Sequence, residues 1–168
     1  MSDPAQVTAL TERAFVPPQA NGRSGIPDGI VVLMRDTCPH CHSSMEATNY
    51  ATRTANGVPV TWVNLNDERA ARQLMALGIP FDTEEGRIYP REVAGKAYEG
   101  VPSVIRTEQG QATDLMHAGA FTNEKLNELG ALVEAHRSAE KLRSSALTDA
   151  PETLSIPNAV RSGQIQLG

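Results

Sequence analysis

The sequence predicts an α/β fold, a central sheet flanked by helices, with an extension at each end. Three observations carry this prediction. The run Ile30-Val31-Val32-Leu33-Met34 has the length of one strand and no polar alternation, the pattern of a strand buried on both faces. It leads through Arg35-Asp36-Thr37 into Cys38-Pro39-His40-Cys41, where a helical pattern opens. Strand-like and helix-like stretches then follow one another as β-α-β-α-β-β-α across residues 28–138.

Residues 1–27 hold Pro4, Pro17, Pro18 and Pro27, with Gly22 and Gly25 among them, and read as an N-terminal arm. A short helix from Asp3 to Phe15 fits within it, since Asp3 can cap and Pro4 suits a first turn. The helix opening at Cys38 is expected to reach Ala55, with Cys41, Met45, Thr48, Thr52 and Ala55 on one face and Asn56-Gly57 as its stop. Val58 to Leu65 reads as a strand, with Val60 and Trp62 on one side and Thr61, Val63 and Leu65 on the other. Asn66 or Asp67 can cap a helix through Leu77 that turns Ala70, Leu74 and Leu77 inward and ends at Gly78.

Residues 79–100 show mixed charge and no period, and exceed what a compact connection needs, which marks a functional loop. Asp82, Glu84 and Glu85 within it read as a solvated acidic cluster. Ser103 to Thr107 and Ala112 to His117 make a hairpin across Glu108-Gln109-Gly110-Gln111. Thr122 caps a last helix to Ser138, with Leu126, Leu129 and Val133 at helical spacing. The C-terminal tail, 139–168, is polar from residue 144 and carries Pro151 and Pro157. Left free, it would be disordered.

A chain of 168 residues supports one ordinary core. With aromatic residues at only 4%, that core must be built mostly from Val, Leu, Ile, Ala and Met. A net charge of -5 argues against nucleic acid or an anionic membrane surface as partner. Met1-Ser2-Asp3-Pro4 has no basic n-region, and no stretch approaches the about 18 apolar residues of a membrane span. The expectation is a cytoplasmic protein.

Cys38 and Cys41 are the two cysteines of the chain. A strand that delivers a dithiol to a helix N-terminus is a device for thiol chemistry, because the unpaired N–H groups and the positive dipole end favour a thiolate. Cys38 is then the nucleophile and Cys41, one turn on, the resolving thiol. Pro39 costs nothing early in a helix, where its missing N–H would be unpaired. His40 adds a donor, and a positive charge when protonated. Two other chemistries use the same letters. Cys38-Pro39-His40-Cys41-His42 matches the c-type haem attachment, with His42 as proximal ligand and Met45, Met75 or Met116 as distal ones. The strand upstream and the absence of an export signal weigh against it. Zinc is disfavoured because His40 and His42 crowd a single turn with the cysteines.

Cys38-Pro39-His40-Cys41 resembles the active site of the thioredoxin-fold thiol–disulfide oxidoreductases, its Pro-His pair being that of the DsbA type. Gly100-Val101-Pro102-Ser103-Val104-Ile105 resembles the segment that presents the cis-proline of that family opposite the dithiol. Gly110-Gln111 and Met116-His117-Ala118-Gly119-Ala120-Phe121-Thr122 resemble its last hairpin and the entry to its final helix. The resemblance covers residues 28–138 and implies a thioredoxin-like fold with a mixed central sheet. It implies disulfide exchange with protein substrates through Cys38 and Cys41, with no cofactor beyond the redox-active Cys38–Cys41 disulfide. It also implies a cis bond before Pro102, with Val101 offering its backbone to an incoming peptide as an added strand. Met34-Arg35-Asp36-Thr37 is similar to the approach in glutaredoxins, which places Thr37 and Arg35 among substrate-binding residues, Arg35 toward a glutathione carboxylate. Glutathione or a thioredoxin reductase is the redox partner so implied. Ala118-Gly119-Ala120 replaces the glutaredoxin Gly-Gly pair, and Val32 stands where thioredoxins carry a buried acid.

A reading of a different class takes the chain as a thioredoxin-like subunit of a larger assembly, such as a virus particle. It would dock through residues 1–27 and 144–168, with the dithiol as a redox sensor. The arms are the feature that favours it, since a free-standing oxidoreductase of this fold needs neither. His117 and His136 are expected to be structural or exposed.

Overall fold

The computed structural model of the chain describes residues 24–49 and 54–154, with side chains as far as residue 145. Its fold is mixed α/β. Strand β1 (Gly29–Met34) lies at the centre of a five-stranded sheet, with β3 (Val58–Asn64) parallel to it on one side and β8 (Ser103–Glu108) antiparallel on the other. Strands β2 (Thr54–Ala55) and β9 (Gln111–Ala118) complete the order β2-β3-β1-β8-β9. Every residue of β1 is buried, as a run without alternation requires.

The two faces of that strand serve two apolar cores. Ile30, Val32 and Met34 join Val60, Trp62, Cys41, Met45 and Phe121 on one side of the sheet. Val31 and Leu33 join Val63, Leu65, Leu74, Leu77 and Ile88 on the other. Register pairs such as Val32↔Trp62 and Leu33↔Val63 place like faces side by side, so the period of two in β3 is the period of the sheet.

Helix α1 (Pro39–Ala47) is shorter than its expected reach to Ala55. The Thr48 hydroxyl turns back to the carbonyl of Ser44 at 2.8 Å, and Asn49 takes a positive φ of 47°. Asn56-Gly57, both at positive φ, closes the β2–β3 hairpin instead of ending a helix. Helix α2 (Ala70–Leu77) begins later than Asn66 or Asp67 would set it. The Asp67 carboxylate accepts from the Arg69 amide at 2.9 Å in the turn before the helix. Gly78, at φ 76°, ends it as expected.

The stretch 79–100 is two small hairpins, not a loop. They are β4 (Phe81–Glu84) with β5 (Arg87–Pro90), and β6 (Glu92–Val93) with β7 (Lys96–Ala97). Each turns on a residue followed by glycine at positive φ, Glu85-Gly86 and Ala94-Gly95. Ile88 and Val93 anchor them in the second core.

Helix α3 (Asn123–Leu154) starts where Thr122 Oγ1 accepts from the Lys125 amide at 3.1 Å, and it continues past Ser138. Residues 139–149 contain neither Gly nor Pro, so nothing in the chain stops the helix there. The chain divides into two compact units between Val133 and Glu134. The second carries ion pairs along its own helix, Glu134 with Arg137 at 3.9 Å and Glu140 with Arg143. The helix expected from Asp3 to Phe15 lies outside the described residues, as do positions 155–168 of the tail. No helix among the described residues is long and apolar enough to cross a membrane.

Candidate functional site

The loop between β1 and α1 is held from both sides. Asn66, beyond the end of β3, and Asn64, its last residue, donate to the two carboxylate oxygens of Asp36 at 2.6 and 2.9 Å. Asn66 also donates to Thr37 Oγ1 at 3.1 Å. From the helix side, His42 is buried and its Nε2 meets the Asp36 carbonyl oxygen at 2.5 Å, which makes that nitrogen the protonated one. The nitrogen a haem site would use for a ligand bond is thus engaged with the backbone.

Cys38 is the N-cap of α1, with extended backbone (φ -92°, ψ 118°), and its Sγ accepts from the Cys41 amide at 3.3 Å. Pro39 stands in the first turn and, like His40 and Thr37, is exposed. Cys38 is half-buried, Cys41 is fully buried, and the two lie 3.0 Å apart as free thiols. Ser44, a turn further on, donates to the His40 carbonyl and accepts from the Phe121 amide, both at 3.0 Å. That pair ties α1 to the junction of β9 and α3.

The opposite wall comes from the segment before β8. The Val101–Pro102 peptide bond is cis, and the Val101 carbonyl oxygen lies 3.9 Å from Cys38 Sγ. Cys38, Val101 and Met116 each pack against the first core. Pro102 is buried, and its carbonyl accepts from the Gly119 amide at 2.8 Å. Pro102 and Val101 therefore sit beside the dithiol, joining residues far apart in the chain.

Burial pushes the Cys41 thiol above the usual cysteine range, with a further push from its contact with Cys38. The Arg35 backbone and the Arg35 charge act the other way. The Arg35 guanidinium is engaged within the protein: Nη1 donates to the Leu65 carbonyl at 3.3 Å and to Asn66 Oδ1 at 3.0 Å, and Nη2 donates to the Ile88 carbonyl. It also stacks over the Tyr89 ring, 5.0 Å from its centroid. Tyr98, from the segment just before Val101, is held protonated by burial and feels Arg35 and both cysteines.

Ile88, Tyr89 and Tyr98 are neighbours of the site that sequence reasoning did not single out, and Met116, singled out there only as a distal haem ligand and as part of the last hairpin, packs against the same core as Cys38. Two tyrosines within an otherwise polar stretch were the available signal. His117 rests edge-on to Phe121 at 6.2 Å, away from the sulfurs' hydrogen bonds. Among the described residues, no group of three or more His, Cys, Asp or Glu is placed to hold a metal ion. No family model, curated protein or solved structure matches the chain.

Proposed function

We propose that this protein is a thiol–disulfide oxidoreductase of thioredoxin-like fold that exchanges disulfides with protein substrates through Cys38 and Cys41. The observation that carries the reading is the asymmetry of the two thiols. Cys38 is partly accessible at a helix N-terminus and faces the Val101 carbonyl, whereas Cys41 is fully buried one turn on. In the reducing direction the Cys38 thiolate attacks a substrate disulfide and one substrate sulfur leaves as thiolate. Cys41 then displaces the second substrate sulfur from Cys38, leaving the Cys38–Cys41 disulfide and a reduced substrate. The backbone of Val101 beside Pro102 would receive the substrate chain as an added strand. Pro39 fixes the first turn, and His40 adds a donor over it.

The test is trapping. Cys41→Ser is expected to leave Cys38 joined to its substrates as mixed disulfides visible on non-reducing gels and named by mass spectrometry. Cys38→Ser is expected to trap little, because Cys41 is shielded. Equal trapping by both variants reverses the assignment of roles, and none by either removes the exchange reading.

A further inference from the structure

We propose that Asn66 is the positioning residue of the nucleophile: its carboxamide bonds each of the three residues before Cys38 and so sets the turn that holds this sulfur at the N-terminus of α1. The inference rests on the reading of Cys38 as the attacking thiol, and it adds to that site a residue from another strand.

Register brings Asn66 there. Strand β3 runs parallel to β1 with Asn64 level with Met34, and the Leu65 amide still donates to the Met34 carbonyl at 2.7 Å. Asn66 is thereby carried alongside the residues that follow β1. Arg35, Asp36, Thr37 and Cys38 form a four-residue turn, closed by the Cys38 amide donating to the Arg35 carbonyl at 3.1 Å. Asn66 Oδ1 accepts from the Arg35 guanidinium at 3.0 Å. Its Nδ2 donates to the Asp36 carboxylate at 2.6 Å and to Thr37 Oγ1 at 3.1 Å. Asn64 orients Asn66 in turn, because Asn64 Oδ1 accepts from the Asn66 amide at 3.1 Å and from the Asp36 amide at 3.2 Å.

The chemistry of these contacts calls for a carboxamide. The guanidinium needs an acceptor and the carboxylate needs a donor, and one short side chain supplies both. Aspartate, of the same size, would still accept from Arg35. It would have no donor for Thr37 and would set a second carboxylate against Asp36. What the turn delivers is Cys38. Its Sγ accepts from the Cys41 amide at 3.3 Å and lies 3.9 Å from the Val101 carbonyl oxygen. A turn free to shift would carry the sulfur off the helix N-terminus that favours its thiolate. His42 holds the same turn from the helix side through the Asp36 carbonyl, so Asn66 supplies the grip from the sheet side.

The experiment alkylates the full, reduced chain with iodoacetamide, well below its melting temperature, and follows the Cys38 peptide by mass spectrometry. Asn66→Asp is expected to slow the reaction by about threefold at neutral pH, and by less at about pH 10, where a thiol ionises without help. Asn66→Ala, which adds no charge, should show the same pattern. Thr37→Val removes one of the three bonds at an exposed position and keeps the test open if neither variant folds; it should slow the reaction by about twofold at neutral pH. Asn56→Ala serves as the destabilised control. It breaks the bond from Asn56 to the Asn127 carbonyl and should lower the melting temperature without changing the rate. A lowered melting temperature with an unchanged rate, or a rate loss that Asn56→Ala shares, would make Asn66 merely structural and overturn the inference. Equal slowing at both pH values would also overturn it, since Asn66 would then govern access to the sulfur and not its placement. The exchange reading is tested apart, by mixing the unaltered chain with a nitrobenzoate disulfide whose leaving thiolate is coloured. No release of colour would remove that reading, while alkylation would still report on Asn66.

Discussion

The Sγ of Cys38 stands 3.9 Å from the carbonyl oxygen of Val101, at the far end of the inserted hairpins. This approach puts the backbone that could pair with a substrate strand within reach of the attacking sulfur. The Val101 side chain packs against the same core as Cys38, so a charge introduced there acts on the sulfur at short range.

A carboxylate at that position would disfavour a thiolate on Cys38 by like-charge repulsion. Val101→Asp is expected to slow alkylation of Cys38 by iodoacetamide at neutral pH severalfold, by raising the fraction of protonated thiol. Val101→Asn, similar in size and neutral, should stay within about twofold of the unaltered chain. Mass spectrometry of the modified peptide reads both. Equal rates for the two variants would mean that the Val101 side chain does not act on the sulfur.

The buried thiol makes stability depend on alkaline pH. Cys41 is held above the usual cysteine range, first by burial and then by Cys38, so the folded chain binds this proton more tightly than the unfolded one. The corresponding stability is fully present below the unfolded value of about 8.5 and is lost as pH rises toward the folded one. The loss runs at up to about 1.4 kcal/mol per pH unit. Tyr98, raised mainly by burial, adds a loss of the same sign above about pH 10. Denaturation of the reduced chain should therefore show falling stability from about pH 8.5 to 10, and Cys41→Ser should flatten that window. An unchanged slope in Cys41→Ser would assign the dependence to another group.

Much of the frame was legible because side-chain pattern and backbone agree there. The unbroken run Ile30–Met34 is the central strand, the alternation in Val58–Leu65 separates two cores, and Thr122 caps the helix that follows it. The end of α1 was not legible, since the hydrogen bond from Thr48 back to Ser44 competes with helix continuation over only a turn. The inserted hairpins escaped because their strands are short and mostly exposed, leaving no period to read around Glu85-Gly86 and Ala94-Gly95. Arg35 could be singled out as a cation near the dithiol. Its partners could not, because the carbonyls of Leu65 and Ile88 are backbone groups that no side-chain pattern encodes.

Ser44 offers a sharp test of how α1 is anchored. Its hydroxyl is fully buried, donates to His40 and accepts from the Phe121 amide. Ser44→Ala removes the acceptor and leaves a buried N–H without a partner. The helix interior gains a better helix former, but that is worth only about 0.5 kcal/mol. The orphaned donor costs about 1–3 kcal/mol, so a net loss of stability is expected. Urea denaturation at neutral pH measures it. A gain would mean that the Phe121 amide finds another acceptor.

Gly130 sets propensity against packing most plainly. It lies buried in α3, where glycine costs a helix about 1 kcal/mol relative to alanine, so propensity alone predicts that Gly130→Ala stabilises. A Cβ there would stand 2.3 Å from the Ala55 carbonyl oxygen and 2.8 Å from its carbon. Those atoms belong to the backbone of β2, which is fixed by its pairing with β3 and cannot swing aside as a flexible side chain could. One turn earlier in the helix, the Asn127 carbonyl accepts from Asn56 Nδ2 at 2.7 Å, and that bond would stretch if the helix moved away. Overpacking of this kind costs about 1–3 kcal/mol, enough to outweigh the gain in propensity. Gly130→Ala is expected to lower the urea midpoint with an unchanged slope, and Gly130→Val to lower it further. A raised midpoint for Gly130→Ala would show that β2 yields to the helix, and that close packing against Ala55 is not what requires glycine at this position.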